Sequence, residues 1–417
     1  MNREAILPRS TAWKWWITGL LLLATMLNYM DRQTLASVAR RITDEFHLSQ
    51  EQYGDIEFSF GWGFAAGSLV FGVLADLINV RWLYPLVLLG WSAMGLLSGL
   101  THGYLPMLAC RALLGFFESG QWPCALRTTQ VVLTDGQRSL GNSVLQSGAS
   151  LGAIFTPLIL RGMVAGNPAA GAWRPAFMIV GALGIVWIIA WLASSRRNDF
   201  VADRPAAAKE QTTSEWWREI ARDRRFWSLV VMVIAINIIW HIIRAWLTKF
   251  LQQGRNYSES NALLISSAFY VATDVGCLLS GAAALWLARR RMNSHRARLW
   301  VFGACSAITA LTSVMALLPK GYLLLAVLFI VGAAALGLFP CYYSFTQELG
   351  ARHVGKATGL LSTIGWLVAS PLQKYFGKLV DQTHSFDLGI SLIGWVPCLA
   401  LATMLFFWRT ESKPETL

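Results

Sequence analysis

Charge is what this 417-residue sequence has least of. Asp, Glu, Lys and Arg make up 14% of it, against about 25% in an average soluble protein. With 55% of the residues hydrophobic, too little polar surface remains to cover a water-soluble domain. Cysteine supplies no framework either. Cys110, Cys124, Cys277, Cys305, Cys341 and Cys398 all fall in apolar stretches without a Cys-x-x-Cys pair, and read as small buried side chains. His102, His241, His295, His353 and His384 are scattered one to a region, with no His-x-x-x-His and no Cys/His grouping. The sequence therefore offers no metal-ligand set, no activated nucleophile and no phosphate-cradling loop. Enzyme chemistry, a metal and a cofactor are not expected.

What is present is long apolar runs from end to end, the mark of a polytopic membrane protein. The net charge of +12 raises nucleic acid as a partner. The bases, however, sit in short segments between apolar runs, as cytoplasmic loops retained at a membrane do. No basic patch with interleaved aromatics stands free of a span, so nucleic acid is excluded as a partner. Arg3, Arg9 and Lys14 precede the first hydrophobic run. That run is too long for a signal-peptide core and ends without a small-residue cleavage site, so it is expected to be a retained span.

Twelve spans of about 20 residues can be laid out, as hydrocarbon thickness demands. The first six are 15–38, 53–75, 82–101, 105–132, 139–161 and 174–194. The second six are 227–250, 261–288, 298–318, 322–346, 357–379 and 388–408. The expected fold is an all-α integral membrane protein of two pseudo-symmetric six-helix bundles, 1–194 and 226–417, joined by a cytoplasmic loop at 195–225. Arg196, Arg197, Arg204, Lys209, Arg218, Arg222, Arg224 and Arg225 load that loop with positive charge, and Arg289, Arg290, Arg291, Arg296 and Arg298 load the loop after span eight. Both loops fall on the side of the N-terminus, which predicts cytoplasmic termini, with Arg40 and Arg41 as the main exceptions. Arg138 three residues before Gly141 is echoed by Lys356 three residues before Gly359, a faint sign of duplication. Gly63 with Gly67, and Gly148 with Gly152, form G-x-x-x-G pairs that let helices approach closely.

One stretch breaks the apolar rule early: Asn28-Tyr29-Met30-Asp31-Arg32, inside span one. Ionisable groups at that depth cost roughly 2.5–3.5 kcal/mol each by insertion scales, so they are retained for function. Asn28, Asp31 and Arg32 share one helix face. Span four carries Arg111 and Glu118 seven residues apart, hence on one side and about 10 Å apart along the axis. Gln121 joins that stripe. Asn142 and Gln146 in span five, Asn237, Trp240, Arg244 and Thr248 in span seven, and Tyr270 and Asp274 in span eight also keep helical spacing. For the neutral residues a hydrogen bond that glues two helices serves equally well. Gluing helices does not require charge, so Asp31, Arg111 and Glu118 stand as functional candidates.

Asp31, Arg32, Arg111 and Glu118 sum to zero charge. An organic anion that takes one arginine as a bidentate partner frees a carboxylate, which then takes up a proton. Loading anion and loading proton favour each other, which is the thermodynamic content of symport.

The sequence also carries Gly72-x-Leu74-Ala75-Asp76 closing span two, Arg111-x-x-x-Gly115-x-x-Glu118 in span four and Trp173-Arg174-x-x-Phe177 opening span six. The second half has Val271-Ala272-Thr273-Asp274-Val275-Gly276, then Phe339-Pro340-Cys341-Tyr342-Tyr343 through Gln347-Glu348-Leu349. Gly355-Lys356-Ala357-Thr358-Gly359 and Asp381-Gln382-Thr383 follow. With Asn28 to Arg32, this ordered set resembles the major facilitator superfamily over essentially the whole chain. Within it the resemblance is to the anion:cation symporter family and its hexuronate-transporter-like subset.

The resemblance implies proton-coupled import of a sugar acid or related organic anion (hexuronate, aldonate or aldarate) by a protein functional as a monomer in a bacterial inner membrane. A carrier for another small carboxylate such as an aromatic acid or diacid, or an anion exchanger, is the alternative, and a membrane enzyme or sensor the remote one. It implies Asp31 and Glu118 as proton-coupling residues, with Arg111 coupled to Glu118. Tyr29, Arg32, Arg111, Gln146, Trp240, Arg244, Tyr343 and Thr363 are the candidate substrate contacts. Trp240 and Trp246 could stack on a sugar ring or anchor at the membrane interface. Gly72, Asp76 and Arg81 belong to a conformational motif of the loop between spans two and three. Here that loop runs Asp76-Leu77-Ile78-Asn79-Val80-Arg81, without the family's early base and glycine. Leu285 likewise stands four residues after Gly281 where many members have an acid. The cytoplasmic latch is therefore expected to be weaker or built differently.

Overall fold

A computed structural model describes residues 10–164, 166–200, 220–290, 292–348 and 354–408. Residues 201–219 of the expected central loop, with Arg291 and Leu349, lie outside the described residues, as does the Lys356 side chain.

Helix covers every one of the twelve expected spans. In order these are α1 (Thr11–Glu45), α2 (Gln50–Leu77), α3 (Val80–Gly99), α4 (Tyr104–Glu118), α5 (Gln121–Val132), α6 (Asp135–Val164) and α7 (Arg174–Ser194). After these come α8 (Arg224–Lys249), a π turn over Phe250–Gly254, α9 (Glu259–Arg289), α10 (Ser294–Thr309), α11 (Thr312–Leu317) and α12 (Tyr322–Gln347). The last are α13 (Val354–Ala369), α14 (Pro371–Thr383), α15 (Asp387–Ile393) and α16 (Val396–Phe407). Among the described residues, nine helical stretches are long and apolar enough to cross a membrane by length and composition. Leu69, Val73, Leu86, Val186, Ile189, Leu278 and Leu279 stand exposed on helix surfaces. In water such a surface would be a liability; against acyl chains it is the expected exterior.

Helix ends follow local chemistry. Ser49 and Gln52 form a reciprocal capping box at the start of α2, and Asn79 caps α3 through the Arg81 amide. Spans four, eleven and twelve are broken where the sequence places a proline just inside a new helix start: Pro123 in α5, Pro371 in α14 and Pro397 in α16. A proline there forfeits no intrahelical hydrogen bond. The glycine pairs are helix-contact faces. A side chain on Gly63 or Gly67 would run into the Ala112 or Phe116 carbonyl of α4, and one on Gly148 or Gly152 into the Leu22 or Met26 carbonyl of α1.

The described residues form two compact units. The first comprises those of Met1–Arg204, Arg244–Val271 and Ser370–Phe386, so it takes in the end of α8, the start of α9 and α14 besides α1–α7. Its apolar core runs through Leu21, Leu88, Trp91 and Leu145, with Trp187, Trp191 and Phe200 stacked in series. Within this unit α14 lies along α2. Asp381 accepts hydrogen bonds from the Gln50 and Glu51 amides at 3.0 and 2.8 Å, a carboxylate at a helix N-terminus. Lys374 pairs with Asp55 at 3.0 Å. Arg41, an exception to the loop-charge pattern, is matched by Glu259 through two hydrogen bonds of 2.6 and 2.7 Å.

The second unit comprises the described residues of Pro205–Ile243, Ala272–Ala369 and Asp387–Leu417. Its core includes Leu229, Ile236, Phe302, Leu338 and Phe345. Glu348, one of the motif residues, is held by His295 Nδ1 at 2.8 Å and Arg298 Nη1 at 2.7 Å.

Candidate functional site

The charged face of α1 is wholly interior to the first unit: Asn28, Asp31 and Arg32 are all buried. Arg32 reaches Glu118 of α4, its Nε donating to Oε2 at 2.6 Å. Its guanidinium also lies over the rings of Tyr29, Phe60 and Phe64 at 5.1, 5.3 and 4.9 Å. Aromatic faces attract a cation most where water is excluded, by about 2 kcal/mol. Arg111, fully buried on the same side of α4, lies 4.7 Å from the Phe60 centroid. The family resemblance pairs Arg111 with Glu118; here the hydrogen-bonded partner of Glu118 is Arg32.

A second pair was not anticipated. Glu57 of α2, 2% exposed, accepts from Arg244 Nη2 at 2.6 Å. Glu57, Glu118 and Arg244 are the charges that act on Arg111, and Glu118, Arg111 and Arg32 those that act on Asp31. The cluster thus holds three carboxylates and three guanidiniums. Burying an ion costs several kcal/mol after relaxation, and opposite neighbours offset that only when hydrogen bonding is good. Four of the six have it, as Arg32 with Glu118 and Arg244 with Glu57.

Asp31 and Arg111 do not. Neither carboxylate oxygen of Asp31 and none of the three Arg111 nitrogens has a hydrogen-bond partner among the described residues. Asp31 Oδ1 sits 2.7 Å from where a Cβ on Gly95 of α3 would lie, so only glycine leaves room for that carboxylate. One buried acid and one buried base are poised without hydrogen bonds beside two ion pairs, each joined by a single 2.6 Å hydrogen bond. Chemically this arrangement can take one anion and one proton.

Several surrounding polar groups are tied down, although neither amide atom of Asn28 has a hydrogen-bond partner among the described residues. Tyr53 donates to the Ala245 carbonyl at 2.8 Å and Tyr270 to Gln33 at 2.8 Å. Gln121 bridges Tyr84 and Thr25, a helix-gluing role. Trp246 donates to Gln373 and meets Tyr53 edge-on at 4.9 Å, which makes it a packing residue of the unit interior.

Of the other expected contacts, Tyr29 is half-buried beside Arg32, whereas Gln146 stands exposed on α6. Trp240, Tyr343 and Thr363 belong to the second unit. Trp240 is buried edge-on to Phe339 at 6.3 Å, Tyr343 is exposed next to the same ring, and Thr363 bonds back to the Gly359 carbonyl. Gly72 and Asp76 are exposed, and Arg81 lies over the Trp82 ring at 5.0 Å.

Sequence reasoning missed Glu57 and the buried Lys249, which sits 4.5 Å over the Tyr53 ring. Both lie inside expected spans, and the rule that marks an intramembrane charge as functional applied to them equally.

The chain is similar over nearly its full length to a probable L-galactonate transporter of Escherichia coli K12, 24% identical over 411 residues, covering 94% of this chain and 88% of that one. A hexuronate transporter of the same organism is 21% identical over 423 residues, covering 96% and 95%. Among solved structures, a bacterial homolog of the human lysosomal transporter Spinster superimposes with a TM-score of 0.75 at 17% identity, covering 96% of this chain and 95% of that one. A D-xylose–proton symporter gives 0.71 at 14%, covering 95% and 98%. The family profile described as Major Facilitator Superfamily matches residues 21–372. With that match, the apolar helices and the shared fold, the chain is a multi-pass membrane protein belonging to the major facilitator superfamily of transporters.

Proposed function

We propose that this carrier imports a sugar acid or related organic anion (a hexuronate, aldonate or aldarate) together with protons by alternating access. The observation that carries the reading is the pair of buried, oppositely charged groups, Asp31 and Arg111, that have no hydrogen-bond partner among the described residues while the other four charges of the cluster are paired. Arg111 offers a planar fork of donors to a carboxylate. Once an anion occupies it, Asp31 loses the guanidinium that balanced it and is accommodated best as the neutral acid. Anion and proton therefore load together, and each raises the affinity for the other by the same factor. Glu118 is the second proton-coupling candidate: when Arg32 leaves it, it faces the same choice. Tyr29, Arg32 and Arg244 line the charged cluster as further substrate contacts; Gln146, Trp240, Tyr343 and Thr363 are candidates on the family resemblance alone. The names of the relatives, galactonate and hexuronate transporters, support the substrate class.

The same reading divides the chain into bundles at 1–194 and 226–417 about a cytoplasmic loop, with both termini cytoplasmic, in a bacterial inner membrane. The carrier works as a monomer, and Gly72, Asp76 and Arg81 take part in the conformational change.

The test is transport in proteoliposomes with a uronate and an aldonate. Wild type shows counterflow and accumulates substrate under an inward proton gradient. Asp31→Asn and Glu118→Gln keep counterflow and lose accumulation. Counterflow that ignores the proton gradient in the wild type would make the protein an exchanger, and full proton-driven accumulation by either variant would remove that residue from coupling.

A further inference from the structure

We propose that Glu57 sets the charge of the substrate: by holding Arg244 it leaves one guanidinium available and restricts the site to monoanions. This rests on the carrier reading above and narrows it to sugar acids with a single carboxylate.

The argument is one of occupancy. A carboxylate already sits on Arg244, Oε2 of Glu57 at 2.6 Å from Nη2, with both side chains nearly inaccessible. Another sits on Arg32, from Glu118 at 2.6 Å. Glu57 and Glu118 thus stand where substrate carboxylates would otherwise bind. Arg111 alone of the three arginines makes no ion pair, and its three nitrogens have no hydrogen-bond partner. An anion on Arg111 with a proton on Asp31 keeps the cluster neutral. A second carboxylate on the same substrate would bring a charge that no remaining guanidinium of the cluster meets, and an unpaired charge in a water-poor interior is strongly disfavoured.

Replacing Glu57 by Gln preserves shape and removes one negative charge. Arg244 then becomes a second carboxylate partner, and with Asp31 protonated the cluster carries two uncompensated positive charges. A diacid neutralises them. Arg244 Nε and Nη1 already have no hydrogen-bond partner, so the guanidinium has unused donors to offer.

The experiment compares D-galactonate with galactarate, the diacid of the same carbon chain, by calorimetric titration of purified protein in detergent. Wild type is expected to bind galactonate at least tenfold more tightly than galactarate. In Glu57→Gln the preference for galactonate falls at least tenfold, through a rise in galactarate affinity. In Glu57→Gln/Arg244→Gln that gain disappears. An unchanged ratio in Glu57→Gln, equal wild-type affinity for the two acids, or a diacid gain that survives loss of Arg244 each overturns the proposal. Should Glu57→Gln fail to fold, Glu57→Met removes the same charge at similar volume. A shift of the ratio toward galactarate in that variant supports the role of Glu57, and no shift overturns it. Wild type that binds neither acid, nor any uronate or aldonate, defeats the carrier reading itself, which is a different result.

Discussion

Asp31 and Arg111 are the two charges in the cluster that contribute no hydrogen bond to the folded state, and this gives an unusual expectation for removing both. The perturbation is Asp31→Asn with Arg111→Met. Asparagine keeps the shape that Gly95 admits, and methionine keeps an unbranched stem over the Phe60 ring with a favourable sulfur–aromatic contact. On these two residues five buried polar atoms, two oxygens and three nitrogens, lack hydrogen-bond partners among the described residues. Leaving a buried polar group unsatisfied costs about 1–3 kcal/mol. Substituting buried opposite charges by less polar groups of similar volume is commonly neutral or stabilising by about 1–4 kcal/mol. The double variant should therefore be as stable as wild type or more so, by roughly 1–4 kcal/mol. For a chain this long that is on the order of 1–2 °C per kcal/mol in apparent Tm. Each single variant strands the other charge and should fall below the double. Function should go the opposite way. Two charge-assisted hydrogen bonds to a carboxylate contribute about 1.5–3 kcal/mol each, so losing Arg111 should weaken anion binding at least about 100-fold. The assay is thermal unfolding in detergent with and without ligand. At a ligand concentration of 100 wild-type Kd the wild type gains about 2.7 kcal/mol, and the double variant gains at most about 0.4 kcal/mol. A double variant less stable than wild type by more than about 1 kcal/mol would mean the two residues hold the fold together, and the reasoning would fail.

Three further outcomes are expected. Arg32→Gln and Glu118→Gln should each destabilise by about 3–5 kcal/mol, while the double variant recovers most of the loss; additive single effects in a denaturation cycle would show that the 2.6 Å pair is not coupled. Gly115→Ala drives a Cβ into the Phe60 carbonyl and should cost about 1–3 kcal/mol. Because Phe60 underlies both Arg32 and Arg111, ligand affinity should drop with it, and calorimetric titration reads the two effects separately. Gly72→Ala meets nothing within 4 Å and should leave stability unchanged or raised by up to about 1 kcal/mol; reduced initial uptake at unchanged binding affinity would place Gly72 in the conformational step, and unchanged uptake would remove it.

Most of the fold could be read from the chain because a bilayer reduces the problem to one dimension. Hydrophobic length gives the spans, and helix is the form that satisfies the backbone within each of them. The helices accordingly appear over all twelve expected segments, α2 within three residues of its expected ends. Misjudged ends have local causes. Span one was cut at residue 38, yet α1 runs to Glu45, because Arg41 is bonded to Glu259 and to the Val164 carbonyl and Glu45 to Trp173 and Arg174. Those partners lie more than a hundred residues away, and no periodicity reports them. The breaks at Pro123, Pro371 and Pro397 were visible as prolines but not as helix starts, since a proline inside a span is compatible with either a kink or a new helix.

The site was half legible for a different reason. Periodicity assigns a residue to a helix face, and it put Asp31, Arg32, Arg111 and Glu118 on faces that do turn inward. It cannot choose among partners, because any acid on one inward face can meet any base on another. Arg111 and Glu118 share a stripe about 10 Å apart along the axis, and the Arg111 nitrogens make no hydrogen bond to Glu118. Arg32 comes to Glu118 instead, its guanidinium lying over the Phe60 and Phe64 rings of α2. Glu57 and Arg244, 187 positions apart, meet only through packing of α2 with the end of α8. The roles proposed here depend on that pairing and not on the number of charges. Moving the unsatisfied member from Arg111 to Arg32 would leave the count unchanged and would shift the anion from beneath α4 to the α1 face. A structure with substrate bound therefore tests the assignment directly: the carboxylate belongs on Arg111, with Arg32 still on Glu118 and Arg244 still on Glu57.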